Sequence, residues 1–408
     1  MKKIYPVLLG GDLNCYNVAR AFHEAYGVKS KAFGRYAISA TKYSDLIDFT
    51  IEPLIDTDEV MLRTLKEYAA SHNDGKLILF GCTDDYASMI IRHKAELSMY
   101  TCPYTDESLV APLSYKAEFY QICEKYGIPY PATVVVSAVT AESDLTADKL
   151  GFDYPIVIKP SSSVDYWKHS FDGMKKVYIA KSSSDAEKII SDIYVSGYPE
   201  KIILQEFIPG GDSSMRVFTA FSDSKGKVRA MCLGHTMVEE HTPKGLGNHA
   251  AIVTENTEKF PLTMKLKALL EDLRYTGFSN FDIKYTGRGD DFRVFEINLR
   301  QGRSNMYMTA AGLNVAKLAC EVYDSDGDNC VFCEREHFWH HVPKSVAYKF
   351  TEDPELVKKA KALAKSGEET SSLWYPYDIF RNPLRFVCVA EQLRRQKKKF
   401  EIYYPKNK

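Results

Sequence analysis

Apolar runs and helix-spaced apolar positions alternate through the first hundred residues. Residues 4–9 form a continuous apolar run of buried-strand type, and residues 14–26 repeat apolar positions at helical spacing. A second strand follows at 30–33 and another helix at 58–71. A strand at 77–80 then runs into Gly81-Cys82-Thr83-Asp84-Asp85. This order predicts a parallel sheet with crossover helices, and such sheets collect ligands beyond the carboxyl ends of their strands. Two of those ends carry small and polar groups. They are Gly10, Gly11, Asp12 and Asn14 after the first strand, and Asp84 and Asp85 after the later one. The Gly10-Gly11 turn lacks the spaced third glycine of a dinucleotide fingerprint. It reads either as a substrate-facing loop, with Gly11, Asp12 and Asp84 as its contacts, or as ordinary turn chemistry.

The pattern changes from Ser114. A helix at 116–126 ends at Gly127 and gives way to Ile128-Pro129-Tyr130-Pro131, an ordinary helix stop. Lys159 closes the β-branched strand Ile156-Val157-Ile158-Lys159. Ser161 to Ser163, Gly173, Lys175 and Lys176 then form either a loop over an anion or a solvated loop. After an amphipathic helix at 185–194, the strand 201–208 leads into Gly210-Gly211-Asp212. Strands at 215–221 and 228–234, a glycine-bearing segment at 241–249 and a helix at 261–275 lead to a hairpin, and a helix at 306–320 leaves it.

That hairpin carries the most chemistry. Residues 280–285 and 292–298 read as its two strands, joined by Gly287-Arg288-Gly289-Asp290-Asp291. Alternation places Glu296 and Asn298 on one face, and a hairpin of this length brings Asp282 beside them. Two acids and an amide are all oxygen donors and suit Mg²⁺. Arg300 and Arg303 follow, cations of the kind that clamp a transferring phosphoryl group or an acyl phosphate. Taken alone, the same stretch also reads as a hairpin whose acids face water.

Composition narrows the classes. At 408 residues, 45% of them hydrophobic, the chain has room for two to three domains and a large core. With 53 Lys and Arg against 54 Asp and Glu, the net charge is -1, so no global field draws nucleic acid or membrane. No apolar run approaches the ~20 residues of a membrane span. The first apolar run enters a Gly-Gly-Asp turn with no cleavage pattern, as a first strand does and a signal peptide does not. Nine scattered cysteines do not resemble a disulfide framework, and the expectation is a reduced, cytoplasmic protein.

Two motifs invite metal readings and are better explained otherwise. Cys330 and Cys333 with His337, His340 and His341 crowd into twelve residues, where a structural zinc site needs a longer loop. Asp324 to Asp328 has its glycine too early for a calcium loop. Beyond 320 the pattern shows one clear helix, 354–366, and a basic run, Arg394-Arg395-Gln396-Lys397-Lys398-Lys399. That run is either a solvated helix end or a patch for an anionic acceptor.

In chain order, Lys116, the Pro-Ile-Val-Ile-Lys-Pro strand with Lys159, the Gln-Glu-Phe-Ile hinge before Gly-Gly-Asp, and the Asp…Glu-x-Asn set ending in arginine resemble the ATP-grasp superfamily across residues 1–320. The resemblance implies an α/β (α+β) ATP-grasp fold with an N-terminal parallel-sheet domain at 1–105. The ATP-grasp domain would span 106–320, with its lid at about 130–205 and central part at about 206–320, and a C-terminal extension would cover 321–408. It implies ATP and two Mg²⁺, with Mn²⁺ as a substitute. Lys116 and Lys159 would hold phosphates, Gln205, Glu206 and Ile208 the adenine, and Asp212 the ribose. Asp282, Glu296 and Asn298 would hold the metals. Arg300 and the Gly302 amide would face an acyl phosphate, with Lys244 at the γ-phosphate and Arg303 in the substrate seat.

Where amino-acid-ligating relatives carry arginine two residues before the first metal acid, this chain has Asn280, so that charge must come from Arg300, Arg303 or Lys244. The opening Val-Leu-Leu-Gly-Gly-Asp-Leu-Asn, the Gly-Cys-Thr-Asp-Asp strand end and the tail look most like the carboxylate–amine ligases that join D-aspartate to a lysine amine of a peptidoglycan precursor. That likeness implies a small amino-acid substrate, an amine acceptor such as a UDP-MurNAc-peptide, no nucleic acid and no membrane span, with a homodimer as a candidate assembly. An L-amino-acid dipeptide ligase and a non-catalytic ATP-binding regulator on the same fold are the alternatives.

Overall fold

The alternation in the first hundred residues takes the form of a four-stranded sheet. The computed structural model describes residues 3–138, 145–243 and 245–405. The strands β1 (Lys3–Leu9), β2 (Ser30–Gly34), β3 (Ile47–Ile51) and β4 (Gly75–Gly81) lie in the order β3-β2-β1-β4, every pairing parallel. Helices Leu13–Tyr26 and Asp58–Ala70 make crossovers between β1 and β2 and between β3 and β4, and Asp84–Arg92 follows the last strand. Both faces of the central strand are covered, which is why Val7, Leu8 and Leu9 are fully buried. Asp12 caps the first helix by accepting from the Cys15 amide at 3.0 Å, and Gly27 ends it in the left-handed region at φ 66°. The strand β3 is absent from the sequence expectation. Its five residues, Ile-Asp-Phe-Thr-Ile, sit at the sheet edge with too few buried positions to announce a strand.

Contacts divide the chain into two compact units. One comprises Met1–Val110, Gly211–Asp282 and Ile297–Lys408, the other Ala111–Gly210 and Ile283–Glu296. The second unit holds β5 (Thr133–Val136), β6 (Ile156–Pro160), β7 (Tyr178–Ala180) and β8 (Ile202–Glu206), in the order β5-β8-β6-β7 and antiparallel throughout. Alternation along β6 turns Ile156 and Ile158 into the core against Ile190, Ile193 and Leu204, leaving Val157 and Lys159 on the opposite face.

The first unit continues with β9 (Met215–Ser222), β10 (Val228–Glu239) and β11 (His249–Glu255), an antiparallel set with nearly every residue buried. The predicted hairpin follows as β12 (Gly277–Tyr285) and β13 (Phe292–Asn298), and the unit boundary falls inside it. With β14 (Val331–Phe332), β15 (Phe338–His340) and β16 (Glu369–Ser371), the order is β13-β12-β9-β10-β11-β15-β16, and β14 pairs with β10.

Two expected helices differ. The stretch 306–320 is not one helix but three short turns, Met306–Ala310, Val315–Lys317 and a π-helical Leu318–Val322. Gly312 at φ 107° breaks the first, and the Asn314 side chain caps the next by accepting from the Ala316 and Lys317 amides. Beyond 320 there are further helices, Lys344–Phe350 and Pro383–Tyr403, besides Pro354–Ser366. The Pro383–Tyr403 helix is anchored by Asp378 and Arg385, both fully buried and 2.7 Å apart. Asp378 also accepts from Tyr16 Oη at 2.9 Å, Ser44 Oγ at 2.9 Å and the Asp45 amide at 2.8 Å. Arg385 reaches the carbonyls of Ser39 and Lys42. Among the described residues no helix is long and apolar enough to cross a membrane.

Candidate active site

In the second unit, Lys116 opens the helix Lys116–Lys125, and its Nζ donates to Glu296 Oε2 at 2.7 Å. Lys116 beside it, working against burial, holds the Glu296 carboxyl down at about 2. Lys159 lies with its Nζ 5.6 Å from the Phe295 ring centroid. Burial, with Lys116 and Lys176 nearby, lowers its ammonium to about 7, an arrangement in which an arriving anion would restore the charge. Gln205 is buried, its amide nitrogen donating to Tyr120 Oη at 2.8 Å and Thr133 Oγ1 at 3.0 Å. The Glu206 carboxylate accepts from the Ala132 amide at 3.1 Å, and Ile208 is buried.

In the first unit, Asn298 Nδ2 lies 3.5 Å from Asp282 Oδ2. A half-turn of that amide presents Oδ1 instead, giving two oxygen donors on adjacent strands. Hard oxygen donors on rigid strands fit Mg²⁺, and the Glu296 carboxylate, kept ionised in the second unit, is of the same chemistry. His249 stands behind Asp282. Its Nε2 is 3.5 Å from Asp282 Oδ1 and its Nδ1 is 3.2 Å from Glu239 Oε1. Burial opposes the charged imidazole, but the two carboxylates outweigh it and hold the ring protonated up to about 10. Among the described residues no three His, Cys, Asp or Glu side chains gather as a metal-binding group.

The loop after β13 is held by three asparagines. Asn280 Nδ2 donates to the Arg300 carbonyl at 2.5 Å while its Oδ1 accepts from Thr219 at 2.6 Å. Asn14 Nδ2 reaches the Gln301 carbonyl at 3.3 Å, and Asn17 Nδ2 the Arg303 carbonyl at 2.9 Å. Asn280 therefore replaces the expected arginine with a backbone bracket rather than a charge. Arg300 faces Asp84 through two bonds, Nε to Oδ1 at 2.7 Å and Nη2 to Oδ2 at 3.0 Å. Arg303 pairs with the buried Glu240 at 2.8 Å, and His341 Nε2 lies 3.3 Å from the same oxygen. At Gly302 an added Cβ would stand 2.8 Å from Asn305 Oδ1, so only glycine fits without displacing it.

Asp12 lies near this loop. Burial raises its carboxyl, against the Cys15 amide and the charges of Arg303 and Arg300. At Gly11 an added Cβ would meet the Tyr36 carbonyl at 2.8 Å. Asp212 is buried, accepting from the Glu239 amide at 3.0 Å and facing His241 Nε2 at 3.0 Å. Lys244 lies outside the described residues.

His249, Glu240 and the asparagines 14, 17 and 280 escaped the sequence reading of the site as contacts. Asn280 left a signal, standing where arginine was expected, and Asn14 left one among the polar groups after the first strand. Of the zinc-like group, His337 faces Glu368 and Thr370, His340 faces Glu369, and Cys333 is buried with its Sγ 3.7 Å from the Arg335 carbonyl.

No family model matches the chain. The D-aspartate ligase of Enterococcus faecium (strain Aus0004) is 36% identical to it over 415 residues, covering 99% of this chain and 97% of that protein. Among solved structures, the L-amino acid ligase from Bacillus licheniformis aligns with a TM-score of 0.54 at 12% identity, over 79% of this chain and 74% of its own. The biotin carboxylase domain of Hydrogenobacter thermophilus 2-oxoglutarate carboxylase, solved with MgADP and bicarbonate, aligns at 0.60 and 14% identity, over 82% and 73%. At such identities these two likenesses show the fold alone.

Proposed function

The chain belongs to the D-aspartate ligase family of ATP-grasp carboxylate–amine ligases, and from that premise we propose that it activates the β-carboxylate of D-aspartate and joins it to the lysine amine of a peptidoglycan precursor. The full-length similarity to the Enterococcus enzyme carries the reading. The chain is an ATP-dependent ligase forming C–N bonds. The finer assignments are our proposal: a cytoplasmic enzyme, D-aspartate as donor, and an acceptor of the UDP-MurNAc-peptide class.

Lys116 and Lys159 neutralise nucleotide phosphates as point charges. Gln205, Glu206 and Ile208 border the base, and Asp212 accepts from the ribose. Bound Mg²⁺, two ions in the proposal with Mn²⁺ as a substitute, supplies charge neutralisation at the transferring phosphoryl group. Asp282, Asn298 and Glu296 would hold it, with His249 fixing the orientation of Asp282. Arg300 and the Gly302 amide stabilise the acyl phosphate, and the asparagine brackets keep that loop preorganised for the task. Arg303, Gly11, Asp12 and Asp84 border the amino acid.

The test is an ADP-release screen across D- and L-amino acids, with and without peptidoglycan precursor. D-aspartate together with the precursor is expected to give the highest turnover. Turnover with bicarbonate and biotin alone would falsify the proposal, and a preference for L-amino acids as both partners would move the chain to the dipeptide ligases.

A further inference from the structure

A groove of about 440 Å³ opens in the first unit between Asp12, the 38–40 loop, Arg303 and the helix Pro383–Tyr403. It falls within the ~300–1,000 Å³ range that holds drug-sized ligands, more room than one small amino acid fills. Gln392, Arg395, Gln396 and Lys399 form its helical wall. Their spacing puts them on one stripe of the helix.

On a helix packed so closely, that stripe ought to be apolar. Gln396 is instead buried with its Oε1 unpartnered among the described residues, and Gln392 Oε1 is unpartnered as well. Buried polar atoms without partners call for an explanation. The charges of the groove are unevenly matched. Glu240 answers Arg303 at 2.8 Å, and Glu391 answers Arg395 at 2.7 Å. Lys399 is exposed and has no ion pair among the described residues. Two residues of the wall therefore carry carbonyl oxygens without a partner among the described residues, and Lys399 adds an exposed cation. That is the complement of a peptide backbone with its N–H groups and an acidic group.

We infer that this stripe is the seat of the amine acceptor, taken as an extended acidic peptide. Gln392 and Gln396 accept from its amides, Lys399 pairs with its carboxylate, and Arg303 marks the end nearest the Arg300 loop. The inference rests on the reading of the chain as an amide-forming ligase. It also gives the basic run at 394–399 two faces: Arg395 and Lys399 belong to the groove, whereas Lys397 and Lys398 are exposed and do not line it.

The test uses the full chain with MgATP and D-aspartate, and compares a lysine-containing acidic peptide with hydroxylamine as the amine. For Lys399→Glu the KM for the peptide is expected to rise about tenfold, with a weaker dependence on salt. The KM values for ATP, D-aspartate and hydroxylamine should move less than about twofold. Gln396→Leu should raise the peptide KM as well, and Lys398→Glu should not. An unchanged peptide KM in Lys399→Glu overturns the seat. So does an equal rise in Lys398→Glu, or a hydroxylamine KM that rises in step. Calorimetric binding of the same peptide to wild type and Lys399→Glu needs no turnover. It therefore tests the seat even if no carboxylate supports ADP release, an outcome that would count against the ligase reading alone.

Discussion

Lys116 and Glu296 form an ion pair at 2.7 Å in the second unit, between one residue proposed for phosphate and one proposed for metal. Each stands in for the other's ligand: the ammonium occupies the carboxylate as a cation would, and the carboxylate occupies the ammonium as a phosphate would. Lys116→Met is therefore expected to raise the KM for ATP by about tenfold and to raise the metal requirement little. Glu296→Gln should lower kcat by about 10²–10³-fold and shift the Mg²⁺ titration to higher concentration. Steady-state kinetics over a matrix of ATP and Mg²⁺ separates the two. Equal effects on both ligands in both variants would argue that the pair is only structural.

The Thr219–Asn280–Arg300 chain is a positioning device. Asn280→Ala should cut kcat by about 10–10²-fold by releasing the Arg300 carbonyl, with the KM for ATP near that of wild type. Asn280→Ser, which keeps a donor at shorter reach, should recover part of the loss. A pure KM effect on ATP would contradict the assignment.

Acid stability should depend on Glu255. Its carboxylate accepts from Arg216 at 3.0 Å and meets His235 at 2.8 Å. Burial would raise its pKa, but these partners hold it at about 2, below the unperturbed 4.5. A depressed folded pKa contributes stability that is present above the unfolded value and is lost as pH falls through the folded one. Urea denaturation should show wild type more stable than Glu255→Gln near neutrality, by on the order of 2 kcal/mol. The gap should close between pH 4.5 and 2. A gap independent of pH would sink the argument.

Breaking the fully buried Asp378–Arg385 pair from one side should be severe. Asp378→Ala leaves Arg385 and three other donors without their acceptor, and is expected to destabilise the protein by about 3–5 kcal/mol in chemical denaturation. Arg385→Met should destabilise it less if the repacked methionine excludes water.

What could be read from the chain was what local pattern controls. The β12–β13 hairpin announced itself through alternation along 280–285 and 295–298 either side of a Gly-Arg-Gly-Asp-Asp turn, and so Glu296 and Asn298 could be expected on one face. His249 could not be placed, because its role depends on β11 lying beside β10 so that Glu239 comes within reach. Asn14 and Asn17 looked like helix residues, and only tertiary packing brings them to carbonyls almost 290 positions away. The break at 312–314 did leave a signal, since Gly312 and Asn314 are ordinary stop and start residues, but the apolar spacing around them continued at helical period. The Pro383–Tyr403 helix was hidden because its groove wall carries glutamine, arginine and lysine where an apolar stripe would have marked it.

The junction at Asp378 also sets a schedule. Its carboxylate accepts from Ser44 across 334 positions and from Tyr16 across 362. A ribosome adding about 5–20 residues per second needs roughly 15–70 s to cover that interval. For that time Tyr16 on the first helix and Ser44 and Asp45 ahead of β3 are donors whose acceptor does not yet exist. Assembly of the first sheet is thus tied to a segment made much later, and the growing chain needs protection from wrong partners longest at the sheet it makes first.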